Sequence, residues 1–95
     1  MARIKVKLVG YLFSLAHRRE ITVEVEDPAI LRTVIEKTVE TVGGRLRDYL
    51  VDSKTGKLWF PPIIRVNEET IAASYDSVTL REGDIVQMLL PIAGG

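Results

Sequence analysis

The chain has no cysteine and a single histidine, His17. Disulfides, CxxC redox chemistry, thiolate zinc sites and iron–sulfur ligation are therefore excluded, and so is any metal site built from several imidazoles. Nor is there an excess of charge of one sign. The 13 Lys and Arg balance 13 Asp and Glu, so no overall field draws the chain to nucleic acid or to an anionic membrane, and partners must be chosen by local patches. No run approaches the roughly 18 consecutive apolar residues of a spanning helix. The opening Met1-Ala2-Arg3-Ile4-Lys5-Val6-Lys7 alternates instead of forming an apolar block, so neither a membrane span nor a signal peptide is expected, and the expected location is the cytoplasm. At 95 residues with 46% hydrophobic content, the chain has the size and composition of one globular domain.

What is present is ordered by hydrophobic period. Ile4, Val6 and Leu8 alternate with Arg3, Lys5 and Lys7, and Ile21, Val23 and Val25 alternate with Glu20, Thr22, Glu24 and Glu26. Both read as half-buried strands, and antiparallel pairing would set basic residues opposite acidic ones. The connection from Gly10 to Arg19 is long for a hairpin, and its Tyr11, Leu12, Phe13 and Leu15 are expected to tuck onto the core. Asp27-Pro28 predicts a helix start and Gly43-Gly44 its stop. Between them Ile30, Leu31, Val34, Ile35, Val39 and Val42 share one face. Leu46 to Val51 suggests one more helical turn. Ile63 to Val66 reads as a strand ending at Asn67, and Arg81-Glu82-Gly83-Asp84 as a turn into the nearly continuous apolar strand Ile85 to Leu90.

Hairpin, helix, irregular middle and two strands, with the strongest strand signals at opposite ends of the chain, predict an α+β β-grasp. Such a fold has a mixed sheet of four to five strands, its first and last strands parallel at the centre, and one main helix packed on one face. A ferredoxin-like arrangement is the alternative, but it requires a second amphipathic helix between Asn67 and Leu80, where Ile71-Ala72-Ala73-Ser74-Tyr75 is too short. The domain expectation is a single unit over 1–95 with a flexible tail over 91–95.

No nucleophile, general base or metal cluster emerges: Asp48, Asp52, Asp76 and Asp84 have no calcium-loop spacing, and Ser14, Ser53, Ser74 and Ser77 lack an activating motif. His17-Arg18-Arg19 reads as a solvated loop tip, and Trp59-Phe60 before Pro61-Pro62 as core or lid residues. The ending Pro91-Ile92-Ala93-Gly94-Gly95 is more informative. A terminus that enters another protein's active site gains from lacking Cβ, because glycine meets no side-chain crowding there. Two terminal glycines also occur in unconstrained tails.

Over nearly its whole length the sequence resembles the ubiquitin-like sulfur carriers, which include the small subunit of molybdopterin synthase and the thiamin-thiazole sulfur carrier. The resemblance rests on Ile4 to Gly10, on Ile64-Arg65-Val66-Asn67, on Leu80-Arg81-Glu82-Gly83-Asp84-Ile85-Val86 and on Pro91-Ile92-Ala93-Gly94-Gly95. The chain departs from the family pattern in Leu90-Pro91 where many members carry two prolines, in Ile85 where an acidic residue is usual, and in a longer middle around Asp52 to Pro62. The resemblance implies a carrier without its own active site or bound cofactor. An adenylating enzyme would activate the Gly95 carboxylate with ATP, a sulfur donor would convert it to a thiocarboxylate, and the large subunit of molybdopterin synthase or another acceptor would take the sulfur. Having no cysteine, the chain cannot hold a persulfide, so any sulfur it carries must sit on that carboxyl. A modifier joined through Gly95 to lysines, and a non-covalent β-grasp interaction module, are the competing expectations.

The docking surface is expected where strand alternation breaks. Val9 shares the outward parity of Arg3, Lys5 and Lys7, and Ile85 and Leu89 share that of Gln87. If the two strands are central neighbours, Val9, Ile85 and Leu89 join Ile92, Ala93 and Gly94 in a partner-binding patch at the root of the tail. The competing expectation is that Trp59-Phe60 folds over these residues.

Overall fold

The computed structural model describes residues 1–52, 54–56, 63–71 and 75–89. The opening alternation forms β1 (Ala2–Leu8), which pairs antiparallel with β2 (Glu20–Val25). Arg3 stands opposite Glu24 and Lys7 opposite Glu20, whereas Lys5 stands opposite Thr22; the register sets two of the three basic residues across from acidic ones, while Arg3 makes its ion pair with Glu82. The last strand, β7 (Ile85–Leu89), runs parallel to β1 from Lys5 opposite Ile85 to Leu8 opposite Met88. On its other side β7 pairs antiparallel with β4 (Ile63–Val66), which turns tightly into β5 (Glu69–Thr70). The sheet order β2-β1-β7-β4-β5 puts the first and last strands side by side at the centre, the expected β-grasp arrangement. Described residues between Asn67 and Leu80 form β5, a 3₁₀ turn (Tyr75–Ser77) and the start of β6 (Thr79–Leu80), which leaves no room for the ferredoxin-like second helix.

Two boundaries differ from the sequence expectation. The main helix, α2, runs from Leu31 to Val42, not from Asp27-Pro28. Ala29–Ile30 instead forms a short strand, β3, antiparallel to β6, and the Leu31 N–H donates to Val78 O (2.9 Å). Strand pairing has taken the backbone groups that capping would have satisfied, and no side chain caps the helix. The second difference is a six-residue helix, α1 (Tyr11–Ala16), in the first connection. Its Leu12 and Leu15 are buried as expected, one helical turn apart, but Tyr11 and Phe13 stay exposed on the other side. Tyr11 meets Tyr49 edge to face with centroids 5.3 Å apart, and the Arg19 guanidinium lies 5.5 Å from the centre of the Phe13 ring.

α2 ends where Gly43 takes φ +60°, its N–H donating to Val39 O (2.8 Å). The suggested extra turn follows as α3 (Gly44–Leu50), with Leu46 and Leu50 fully buried. Leu31, Val34, Ile35 and Val39 of α2 join these leucines and Leu12 against Ile4, Val6, Ile64, Val86 and Met88, all on one face of the sheet. Thr38 is buried among them, and its hydroxyl donates to Val34 O (2.8 Å). Among the described residues the helices therefore cover one sheet face and leave the other to β1, β7 and β4 side chains of opposite parity. Among the described residues no helix is long and apolar enough to cross a membrane.

Candidate functional site: the open sheet face

The open face is set by the turn before β7. Asp84 Oδ2 accepts from the Arg81 N–H (2.8 Å), and its Oδ1 accepts from Asn67 Nδ2 (3.1 Å). Asn67 Oδ1 in turn accepts from the Ile85 N–H (3.0 Å), while the Asn67 N–H donates to Ile85 O (2.9 Å). Toward β1, the Lys5 N–H donates to Asp84 O (3.2 Å) and the Gly83 N–H to Arg3 O (3.1 Å). Gly83 adopts φ +87°, which glycine accepts without strain. The Arg81-Glu82-Gly83-Asp84 turn and Asn67 thus pin the first residue of β7 against both neighbours. A one-residue slip would turn every outward side chain inward, so this clip decides which residues the face presents.

With the register fixed, the outward side chains fall into rows across the strands. Val9 follows Leu8, and its N–H donates to Met88 O (3.1 Å), which places it beside Leu89; Leu89 lies opposite Ile63. Val9 is 41% exposed and Leu89 and Ile63 are half-buried, giving an apolar row at the end of the sheet from which the chain leaves β7. One step back, Lys7 lies opposite Gln87 and Gln87 opposite Arg65. A further step back, Ile85 lies beside Lys5.

The structure thus brings Val9 and Leu89 together as expected, but sets Ile85 two steps away, beyond the polar row. Ile63 was missed by the sequence reading, although its outward parity in β4 was available there. Ile92, Ala93, Gly94 and Gly95 lie outside the described residues, as do Trp59 and Phe60, the proposed cover. An open depression of about 260 Å³, lined by Lys7, Asn67, Glu68, Ile85 and Gln87, occupies the polar part of the face.

Chemistry-bearing groups elsewhere are structural in arrangement. Arg32 Nε donates to Asp76 Oδ1 (2.6 Å), tying α2 to the 3₁₀ turn, and this bond raises the arginine above its ordinary pKa. Burial likewise raises Tyr75 above the usual phenol value. Both belong to the helix layer. His17, Arg18 and Arg19 are exposed after α1, and no group of three His, Asp or Glu among the described residues could hold a metal ion.

This architecture, a central parallel pair of terminal strands with a helix across one face, defines a ubiquitin-like β-grasp protein. No family model and no curated protein sequence matches the chain, but solved structures do. Small archaeal modifier protein 1 from Haloferax volcanii superposes with a TM-score of 0.78 at 21% identity, covering 97% of this chain and 100% of that one. A chain in the complex of subunits 1 and 2 of the molybdopterin-converting factor from Helicobacter pylori matches with a TM-score of 0.59 at 18% identity, over 98% and 99% of the two chains. Urm1 from Trypanosoma brucei gives 0.67 at 22% identity, over 98% and 95%. The likeness therefore spans the full length of the domain and establishes the fold.

Proposed function

We propose that the chain is a ubiquitin-like sulfur carrier whose Gly95 carboxylate is the working group, donating sulfur in molybdopterin synthesis. The carboxylate attacks the α-phosphorus of ATP on an adenylating enzyme and releases pyrophosphate. A sulfide donor then displaces AMP to leave a thiocarboxylate, which is handed to a pterin-modifying subunit. Beyond that terminal carboxylate, no side chain of the carrier takes part as acid, base or nucleophile. The observation that carries the reading is the end of β7: Leu89, the last residue of the central strand, stands in one apolar row with Val9 and Ile63, and the sequence runs on from it to Gly94-Gly95.

Six residues follow Leu89 in the sequence, so Gly95 lies within about 21 Å of it by chain geometry alone. A partner docked on the apolar row is therefore within reach of the terminal carboxylate. The absence of cysteine supports the carboxyl as the sulfur-bearing group, and the Helicobacter pylori complex of subunits 1 and 2 supports a second subunit as a partner. Intact mass spectrometry of the chain purified from its own cells tests the reading. The expected result is a fraction heavier by the exchange of one oxygen for sulfur, lost on hydrolysis.

A second reading is favoured by the likeness to a small archaeal modifier protein: the same activated carboxylate is joined to lysine amines of other proteins. A branched Glu82–Gly95 remnant on lysines in tryptic digests of the same cells, set by Arg81 as the last tryptic site, without the sulfur-bearing species, would select it.

A further inference from the structure

The open face carries two bands of different chemistry, and together they specify what must sit on it. Nearest the C-terminal end of β7 is the apolar band of Val9, Leu89 and Ile63. The next band, two residues farther along each strand and so about 7 Å away, is Lys7, Gln87 and Arg65 side by side. This second band is a cation, an amide and a cation. All three side chains are half-buried, yet among the described residues neither cation has an ion-pair partner within 4.0 Å. Glu20 lies opposite Lys7 on the edge strand without reaching it. Arg65 directs Nη2 to the backbone oxygen of Glu68 (2.9 Å), while its Nε is buried with no hydrogen-bond partner among the described residues. Among the described residues, the carboxylates beside the band stand at its margins, Glu20 opposite Lys7 and Glu68 at the rim of the depression.

Resting on the carrier reading, we propose that the adenylating partner docks with a matched pair of bands: an apolar ridge over Val9, Leu89 and Ile63, and Asp or Glu side chains over Lys7 and Arg65. The physical reason is burial. A standard interface removes roughly 800 Å² from each partner, so a surface that covers the apolar band also covers a band 7 Å from it. Lys7 and Arg65 would then lose water, and a cation buried without a partner is strongly unfavourable. The guanidinium of Arg65 is a planar fork of donors that matches the geometry of a carboxylate. The order of the bands gives the complex its direction. Apolar contact alone would let the carrier dock rotated in the plane of the sheet, whereas carboxylates on the side away from the Leu89 end of β7 admit one orientation of that strand end toward the partner.

The test is ATP–pyrophosphate exchange by the adenylating enzyme of the same organism, run with wild type, Lys7→Glu, Arg65→Gln and Leu89→Asp, each verified as folded by its amide NMR spectrum. Lys7→Glu is expected to raise the KM for the carrier about tenfold with kcat unchanged. It should also flatten the rise in KM that wild type shows between about 0.1 and 1 M salt, where the Debye length shrinks from about 10 to 3 Å. Arg65→Gln, which keeps hydrogen bonding and removes the charge, should move KM in the same direction by a smaller factor. If Leu89→Asp abolishes exchange while Lys7→Glu and Arg65→Gln stay within twofold of wild type at every salt concentration, the acidic band is refuted and the carrier reading stands. If wild type supports no exchange at all, the carrier reading itself falls and this proposal with it.

Discussion

The turn between β4 and β5 offers a perturbation whose sign can be worked out residue by residue. Val66 pairs with Glu69, so the hairpin closes on two residues, Asn67 and Glu68, both with positive φ (49° and 73°). Two-residue hairpins favour this arrangement, most often with Asn-Gly. Here the second position holds Glu, whose Cβ makes the left-handed region unfavourable by roughly 1–2 kcal/mol, while the chain entropy lost by glycine on folding takes back about 0.5–1 kcal/mol. Arg65 Nη2 bonds the backbone oxygen of Glu68, an acceptor that survives substitution. Glu68→Gly is therefore expected to stabilise the domain by about 0.5–1 kcal/mol. Asn67 should respond in the opposite sense. Its side chain makes two hydrogen bonds, to the Ile85 N–H and to Asp84, worth about 1 kcal/mol together at this exposed position. Asn67→Gly should then cost about 1–2 kcal/mol, and Asn67→Ala, which adds left-handed strain, about 2–3 kcal/mol. Urea unfolding at constant m measures all three. A destabilising Glu68→Gly would refute the strain argument, and an Asn67→Gly as stable as wild type would refute the claim that Asn67 pins β7.

Leu31→Ala removes a fully buried side chain at the start of α2 and should cost about 2–5 kcal/mol, whereas exposed Glu36→Ala should cost less than about 0.5 kcal/mol; equal shifts in urea midpoint would mean that the helix buries a different face. Asp76→Ala breaks the ion pair with Arg32, both partly exposed, and should lower the urea midpoint far less than Leu31→Ala does. Leu89→Asp, with Glu36→Ala as a control on the helix side, should weaken binding to the adenylating enzyme at least tenfold by calorimetry while the folded spectrum persists; wild-type affinity would remove the apolar row as the docking site.

The parts of the fold legible in the sequence were those with a long regular period. The alternation of Ile4, Val6 and Leu8 and the spacing of Leu31, Val34, Ile35 and Val39 each report a face over several residues, and the structure buries those faces. α1 escaped notice because its six residues make fewer than two turns, too few to show a period, and its apolar Tyr11 and Phe13 obscured the Leu12–Leu15 pair. The helix start was misplaced because Asp27-Pro28 is a local signal, whereas the pairing of Ala29–Ile30 with Thr79–Leu80 joins segments about fifty positions apart. The same distance effect governs the candidate site. Parity alone identified Val9, Ile85 and Leu89 as outward, but only the registers of β7 with β1 and β4 show that Leu89 stands with Val9 and Ile63, that Lys7, Gln87 and Arg65 form one row, and that Ile85 belongs to another.

The central claim is that the Gly95 carboxylate is the group on which activation occurs, and ATP–pyrophosphate exchange with the terminus altered tests it most directly. Deletion of Gly95, or addition of a single residue after it, leaves β7 and its register untouched and should preserve the unfolding midpoint. Both variants are expected to reduce exchange to background, because the carboxylate no longer reaches the α-phosphorus in the required geometry. Exchange at the wild-type rate by the folded Gly95 deletion would contradict the account.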